Sequence, residues 1–178
     1  SALQTLLAPL PADLTAAIVV VQHVDEQFAR SFAEWLNEQT ALEVRLAQSG
    51  DRPRPGLVLV AGGEDHLVVT PGGALEYQTE PADYAYRPSV NVFFESLARH
   101  WRGRTVGVLL TGMGRDGGNG LLALRQAGCH TIAQDQASSA IYGMPKAAAE
   151  LGAAVEILGL PAIGPALLKS ISQPLKAQ

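Results

Sequence analysis

The chain has 178 residues, enough for one domain with a sizeable core, and 47% apolar against 17% charged residues excludes a disordered tail. Lys and Arg number 13 and Asp and Glu 17, a formal charge of −4, so no basic field is present to hold nucleic acid. The single cysteine, Cys129, excludes an internal disulfide framework and fits a reducing compartment. No apolar run reaches spanning length and no basic-then-apolar leader opens the sequence, so the expectation is a soluble, cytoplasmic protein without direct membrane insertion.

Leu3, Leu6, Leu7 and Leu10 recur at helical spacing, so the chain opens on a helix with no strand before it. Ala17 to Gln22 is a short β-branched run that reads as a buried parallel strand, with His23 at its end. Phe28, Phe32, Trp35 and Leu36 mark a helix face, and Leu42, Val44 and Leu46 alternate as a strand. A proline-containing loop from Gly50 to Gly56 leads to a strand over Leu57 to Ala61. His66 to Thr70 and Ala74 to Tyr77, joined by Pro71-Gly72-Gly73, predict an antiparallel hairpin. Ser89 is placed to cap a helix whose face is Val90, Phe94, Leu97 and Trp101. Thr105 to Leu110 is the next strand, and Leu121, Leu122 and Leu124 lead a helix that stops at Gly128. Thr131 to Ala133 is a short strand, Pro145 suits the first turn of the next helix, and Val155 to Leu158 is the last strand. Ile163, Leu167, Leu168 and Ile171 line a final helix. Strands alternating with helices imply an α/β fold: a three-layer, Rossmann-like, mainly parallel sheet with helices on both faces and one antiparallel β-hairpin. Residues 1–178 read as one domain.

The turn Thr111-Gly112-Met113-Gly114-Arg115-Asp116-Gly117-Gly118-Asn119-Gly120 follows a strand and opens a helix, a geometry that gathers backbone amides. Gly112 to Gly117 matches G-x-G-x-x-G, and Asp135 lies near where a ribose-binding acid would stand, which suits a nucleotide-binding oxidoreductase. Two features oppose that reading. The motif arrives late in the chain, and Asp116 would stand beside the pyrophosphate, where two unit charges ~4 Å apart at an effective dielectric of about 20 repel by roughly 4 kcal/mol.

The other reading joins Asp116 to His23. Both stand at carboxyl ends of strands, where open parallel sheets bind ligands. A carboxylate bonded to one imidazole nitrogen fixes the tautomer and stabilises the imidazolium formed when the other nitrogen takes a proton. The bland alternative is a surface histidine and a helix-capping aspartate. His66, His100, His130 and Cys129 show no metal-ligand spacing, so no metal site is expected. Ser138 and Ser139 lack a G-x-S-x-G context and read as loop residues. Arg87 suits either a substrate carboxylate or a surface salt bridge.

Val21-Gln22-His23, Arg87-Pro88-Ser89-Val90, Leu110 to Gly117, Thr131 to Ser138 and Tyr142-Gly143-Met144-Pro145-Lys146 together resemble, in order and spacing, the catalytic domain of CheB-type protein-glutamate methylesterases. Val24-Asp25-Glu26 after the histidine, with Tyr86 before Arg87, is most similar to the WspF-type branch, which serves a surface-sensing pathway. The resemblance implies hydrolysis of glutamate γ-methyl esters on chemoreceptor helices, deamidation of certain receptor glutamines, and no cofactor. It implies a Ser-His-Asp triad with His23 as general base and Asp116 as orienting acid. Gly112, Met113 and Gly114 would form the turn whose amides stabilise an oxyanion. Arg87, Ser138 and Tyr142 lie in family motifs at the same rim. The resemblance also implies an upstream receiver domain with its histidine kinase. Aligning Leu3 to Pro11 with the family's first helix puts the first strand and the nucleophilic serine before Ser1. The 178 residues alone are therefore expected to be inert, and a non-catalytic receptor-binding homologue stays as the alternative.

Overall fold

The computed structural model describes residues 1–173. In chain order the elements are α1 (Ala2–Leu7), β1 (Ile18–Val20), α2 (Glu26–Gln39), β2 (Glu43–Leu46), β3 (Leu57–Val60), β4 (His66–Val69), β5 (Leu75–Gln78), α3 (Val90–His100), β6 (Val106–Leu109), α4 (Gly118–Gln126), β7 (His130–Gln134), α5 (Met144–Glu150), β8 (Glu156–Leu158) and α6 (Leu160–Ser172). This is the expected mixed α/β alternation with an antiparallel hairpin. The hairpin pairs β4 with β5 in register from His66 opposite Gln78 to Val69 opposite Leu75.

The parallel strands form two sheets of three, ordered β1-β3-β2 and β6-β7-β8. The middle strands carry the most buried residues: all four of β3 are buried, as are Thr131, Ile132, Ala133 and Gln134 of β7. That is why Leu57-Val58-Leu59-Val60 reads as an unbroken apolar run rather than an alternating one. β1 and β6 are edge strands and only partly buried. A groove of about 1860 Å³ runs between them, lined by Ile18 and Val20 on one side and Val106 and Val108 on the other. β1 and β6 share no hydrogen bonds, so the two parallel sheets are not joined directly.

Helices cover both faces. Leu6 and Leu7 of α1, Ala33 and Leu36 of α2, and Ile163 of α6 pack in one core with Val58, Val60 and Ile132. On the opposite face Phe93 of α3 joins Leu57, Leu59 and the hairpin residues Leu67, Val69 and Leu75. Val90 of α3, Leu121 and Leu124 of α4, and Ala148 of α5 bury Leu109 and Ala133. Each fully buried leucine contributes roughly 1.5–3 kcal/mol relative to an exposed one, which is what holds the loops at the strand ends in fixed positions.

Helix starts follow local chemistry. Asp25 caps α2 by accepting the Phe28 amide, and Ser89 caps α3 by accepting the Val92 amide. Pro145 occupies the first turn of α5 as expected. α1 is shorter than its leucine pattern suggests and ends at Leu7, two residues before Pro9, whose ring the interior of a helix does not accommodate. α4 begins at Gly118, three residues earlier than its leucines indicate. Its N-cap Gly117 has φ of +98°, a left-handed conformation that an L side chain resists.

Candidate active site

His23 lies three residues beyond the end of β1, and Asp116 lies in the turn between β6 and α4. Their loops meet: Nε2 of His23 stands 2.7 Å from Oδ2 of Asp116. The carboxylate side chain is wholly inaccessible, whereas the imidazole is 24% exposed. An ionised carboxylate only accepts, so Nε2 carries the proton and donates it, and Nδ1 holds the free lone pair.

Asp116 is anchored by more than the histidine. Its Oδ1 accepts the Ser89 hydroxyl at 2.9 Å and the Asn91 amide at 3.1 Å, and its Oδ2 also accepts the Val90 amide at 2.7 Å. These donors belong to the N-cap and first turn of α3, the end of a helix that favours negative charge. Burial alone would push the Asp116 carboxyl up. The bond from His23, the Val90 and Asn91 amides and the Ser89 hydroxyl outweigh it and hold the group below its ordinary value of 3.8. Asp116 is therefore a carboxylate at neutral pH although it is buried.

The two neighbouring helices cap each other. Asp116, just before α4, accepts from the start of α3. Asn91 of α3 returns the bond, with its Oδ1 accepting the amides of Gly117 at 2.9 Å and Gly120 at 2.7 Å at the start of α4. Behind them lies buried His66. Its Nδ1 accepts the Ser89 amide at 3.1 Å, so its Nε2 donates to the Pro81 carbonyl at 3.0 Å, which makes this ring neutral. Tyr84 meets His66 edge-on at 6.1 Å, and its hydroxyl accepts from the Asn91 side chain at 3.0 Å. Sequence reasoning identified Ser89 as a cap but did not connect it, His66 or Asn91 to the carboxylate. The signal available was the pairing of polar residues with a helix start, without any indication of which acid they would meet.

The same contacts close the nucleotide alternative. The α4 amides that would cradle a pyrophosphate are engaged by Asn91, and Asp135 is turned into its own loop, where it accepts the Ser138 amide and hydroxyl at 2.9 and 2.6 Å. The Ser138 hydroxyl in turn accepts the Leu160 amide at the start of α6. Ser138 thus works in loop construction, and its hydroxyl does not face His23 as a free group.

The glycine turn is tied to the segment before α5. The Gly112 amide donates to the Ile141 carbonyl at 3.1 Å, and the Gly112 carbonyl accepts the Met144 amide at 2.9 Å. Gly112 and Tyr142 form an isolated parallel bridge. This engagement removes the Gly112 amide from the expected oxyanion donors. Among the described residues the Met113 and Gly114 amides donate to no protein acceptor, and Met113 is 72% exposed. Tyr142 is half-buried beside this turn. Arg87 is exposed at the opposite rim, where it donates to the Glu64 carbonyl at 3.2 Å and the Ala82 carbonyl at 3.1 Å, and it shares a small cavity with His23. The Ser1 hydroxyl caps α1 by accepting the Gln4 amide at 3.2 Å. Among the described residues no cluster of His, Cys, Asp and Glu is arranged to hold a metal ion.

Beyond the strand ends an imidazole bonded to a buried carboxylate thus stands near two unengaged main-chain amides. The chain belongs to the CheB methylesterase family, whose sequence profile matches residues 1–167. It is 61% identical over 168 residues to protein-glutamate methylesterase/protein-glutamine glutaminase 2 of Cupriavidus metallidurans, covering 94% of this chain and 50% of the relative. It is 63% identical over 159 residues to protein-glutamate methylesterase/protein-glutamine glutaminase 1 of Burkholderia lata, covering 89% of this chain and 48% of that one. The solved CheB methylesterase catalytic domain of Thermotoga maritima superposes with a TM-score of 0.87 at 32% identity, covering 95% of this chain and 91% of that one. The chain spans about half the length of the curated relatives it matches.

Proposed function

We propose that this chain is the catalytic part of a protein-glutamate methylesterase that hydrolyses γ-methyl esters of chemoreceptor glutamates, with glutamine deamidation as a second activity of the same site. The observation that carries the reading is the 2.7 Å bond between His23 and the buried Asp116, at positions that lie within the family match. The nucleophile is a serine supplied by polypeptide preceding Ser1. The groove between β1 and β6 supports this, because it offers two edge strands to a further strand and reaches His23 and Met113.

The serine hydroxyl attacks the ester carbonyl while Nδ1 of His23 takes its proton. Asp116 steadies the resulting imidazolium through Nε2, and the Met113 and Gly114 amides receive the oxyanion. Collapse expels methoxide, which leaves as methanol with the proton from Nδ1. Water then attacks the acyl-serine with His23 as base. The second collapse releases the glutamate carboxylate and restores the serine. The half of the relatives' length lying outside the match accommodates a receiver domain, phosphorylated by a histidine kinase, that would gate access to this site.

Methanol release from methylated receptor tests the reading. With the preceding polypeptide restored, turnover is expected and His23→Ala abolishes it. The 178 residues alone are expected to be inert. Turnover by those residues alone, or full activity in the His23 variant, overturns the assignment.

A further inference from the structure

The structure assigns Tyr86 as a positioning residue for the catalytic imidazole, an inference that rests on His23 being the base. The Tyr86 ring stacks on the His23 ring with centroids 4.4 Å apart and planes inclined by 22°. A single hydrogen bond at Nε2 fixes one point of the imidazole and leaves the ring free to roll about that bond. A flat aromatic face on one side removes this freedom, and with it the misalignment of Nδ1 that would slow proton transfer.

The far end of Tyr86 is seated independently. A Cβ at Gly114 would lie 2.1 Å from its hydroxyl oxygen and 3.0 Å from Cζ, so the phenol occupies space that only glycine leaves open. Gly114 also has φ of +88°, which favours glycine on conformational grounds. The turn that delivers Asp116 to one edge of the imidazole therefore also receives the ring that supports its face. His23 and Tyr86 together line both the long groove and a second cavity of about 360 Å³ that includes Asp25, Glu64 and Arg87. The stacked pair thus borders both spaces, and the Tyr86 ring covers one face of the imidazole. When the imidazole takes the serine proton, the cation forms against an aromatic face, an attraction that adds as charge develops. In this role Tyr86 acts through His23 rather than on the ester or the nucleophile.

The test compares Tyr86→Phe with Tyr86→Leu in a chain carrying the preceding polypeptide, with kcat and KM measured separately by methanol release. Phenylalanine keeps the stack and should hold kcat within about threefold of the parent, whereas leucine should lower kcat on the order of tenfold and move KM by less than about twofold. If Tyr86→Leu does not fold, Tyr86→Met, which keeps an apolar filler but removes the aromatic face, should show the same kcat loss. A proton NMR spectrum supplies a readout free of activity. The His23 ring resonance, assigned by its loss in His23→Ala, should lie upfield under the tyrosine ring current and keep that position in Tyr86→Phe. Parent-like kcat in Tyr86→Leu while His23→Ala is dead overturns the role of Tyr86 alone. A rise in KM without a fall in kcat makes Tyr86 a substrate contact and also overturns it. Turnover in His23→Ala removes the base itself, and the inference falls with it.

Discussion

Two histidine–carboxylate pairs of almost equal length occupy different regions of this fold. His23 and Asp116 meet at 2.7 Å in loops beyond strand ends, and His130 and Glu156 meet at 2.6 Å on the first residues of β7 and β8. Distance does not separate them. Surroundings do: the Asp116 side chain is fully buried with three further donors, whereas His130 and Glu156 are 32% and 42% exposed. An exposed pair is competed for by water and held loosely by entropy, and is worth at most about 1 kcal/mol. A buried carboxylate with its lone pairs satisfied is a fixed charge that can orient an imidazole and answer its protonation.

The contrast is broken most strongly by removing each imidazole. His23→Ala should lower kcat for methanol release by about 10⁶-fold, which abolishes measurable turnover. His130→Ala, a surface change, should leave it within about twofold. Equal losses would erase the distinction drawn here. Removing the charges comes next. Asp116→Asn should reduce kcat by about 10⁴-fold. It should also lower unfolding stability by about 2–3 kcal/mol, because an amide nitrogen would confront donors that need an acceptor. Glu156→Gln should cost less than about 1 kcal/mol. Urea melts of the two variants check the ranking.

Acid titration sharpens the comparison further. The folded value of Asp116 is depressed below 3.8, so its contribution is fully present above the unfolded value and fades as pH falls through the lower folded one. Melting temperature should therefore drop below about pH 4 more steeply in the parent than in Asp116→Asn. Parallel curves would show that the carboxylate is not preferentially charged in the folded state. A smaller effect than that of Asp116→Asn is expected from Asn91→Ala, which uncaps α4 and should cost about 1 kcal/mol in a urea melt.

Much of this architecture is legible from local pattern. Continuous apolar runs such as Leu57 to Val60 announce strands buried on both faces, and Ser89 and Pro145 mark helix starts because capping is a contact over a few residues. His23 stands out just past an apolar run, and Asp116 as the one acid in a glycine-rich turn that follows a strand. Their meeting could be proposed but not measured from sequence, since 93 residues separate them. The partners of Asp116 were harder to see. Backbone amides of Val90 and Asn91 leave no mark in side-chain identity, and His66 looks like any hairpin histidine until packing buries it.

The reciprocal tie between α3 and α4 has a practical consequence. Asp116 is joined to the start of one helix while Asn91 secures the other, so the acid of the site doubles as a rivet of the scaffold. Anyone seeking a silent form that still grips a methylated target should alter His23, whose ring is partly open to solvent, and leave the aspartate untouched. A silent Asp116 variant would confound two losses, one of chemistry and one of shape.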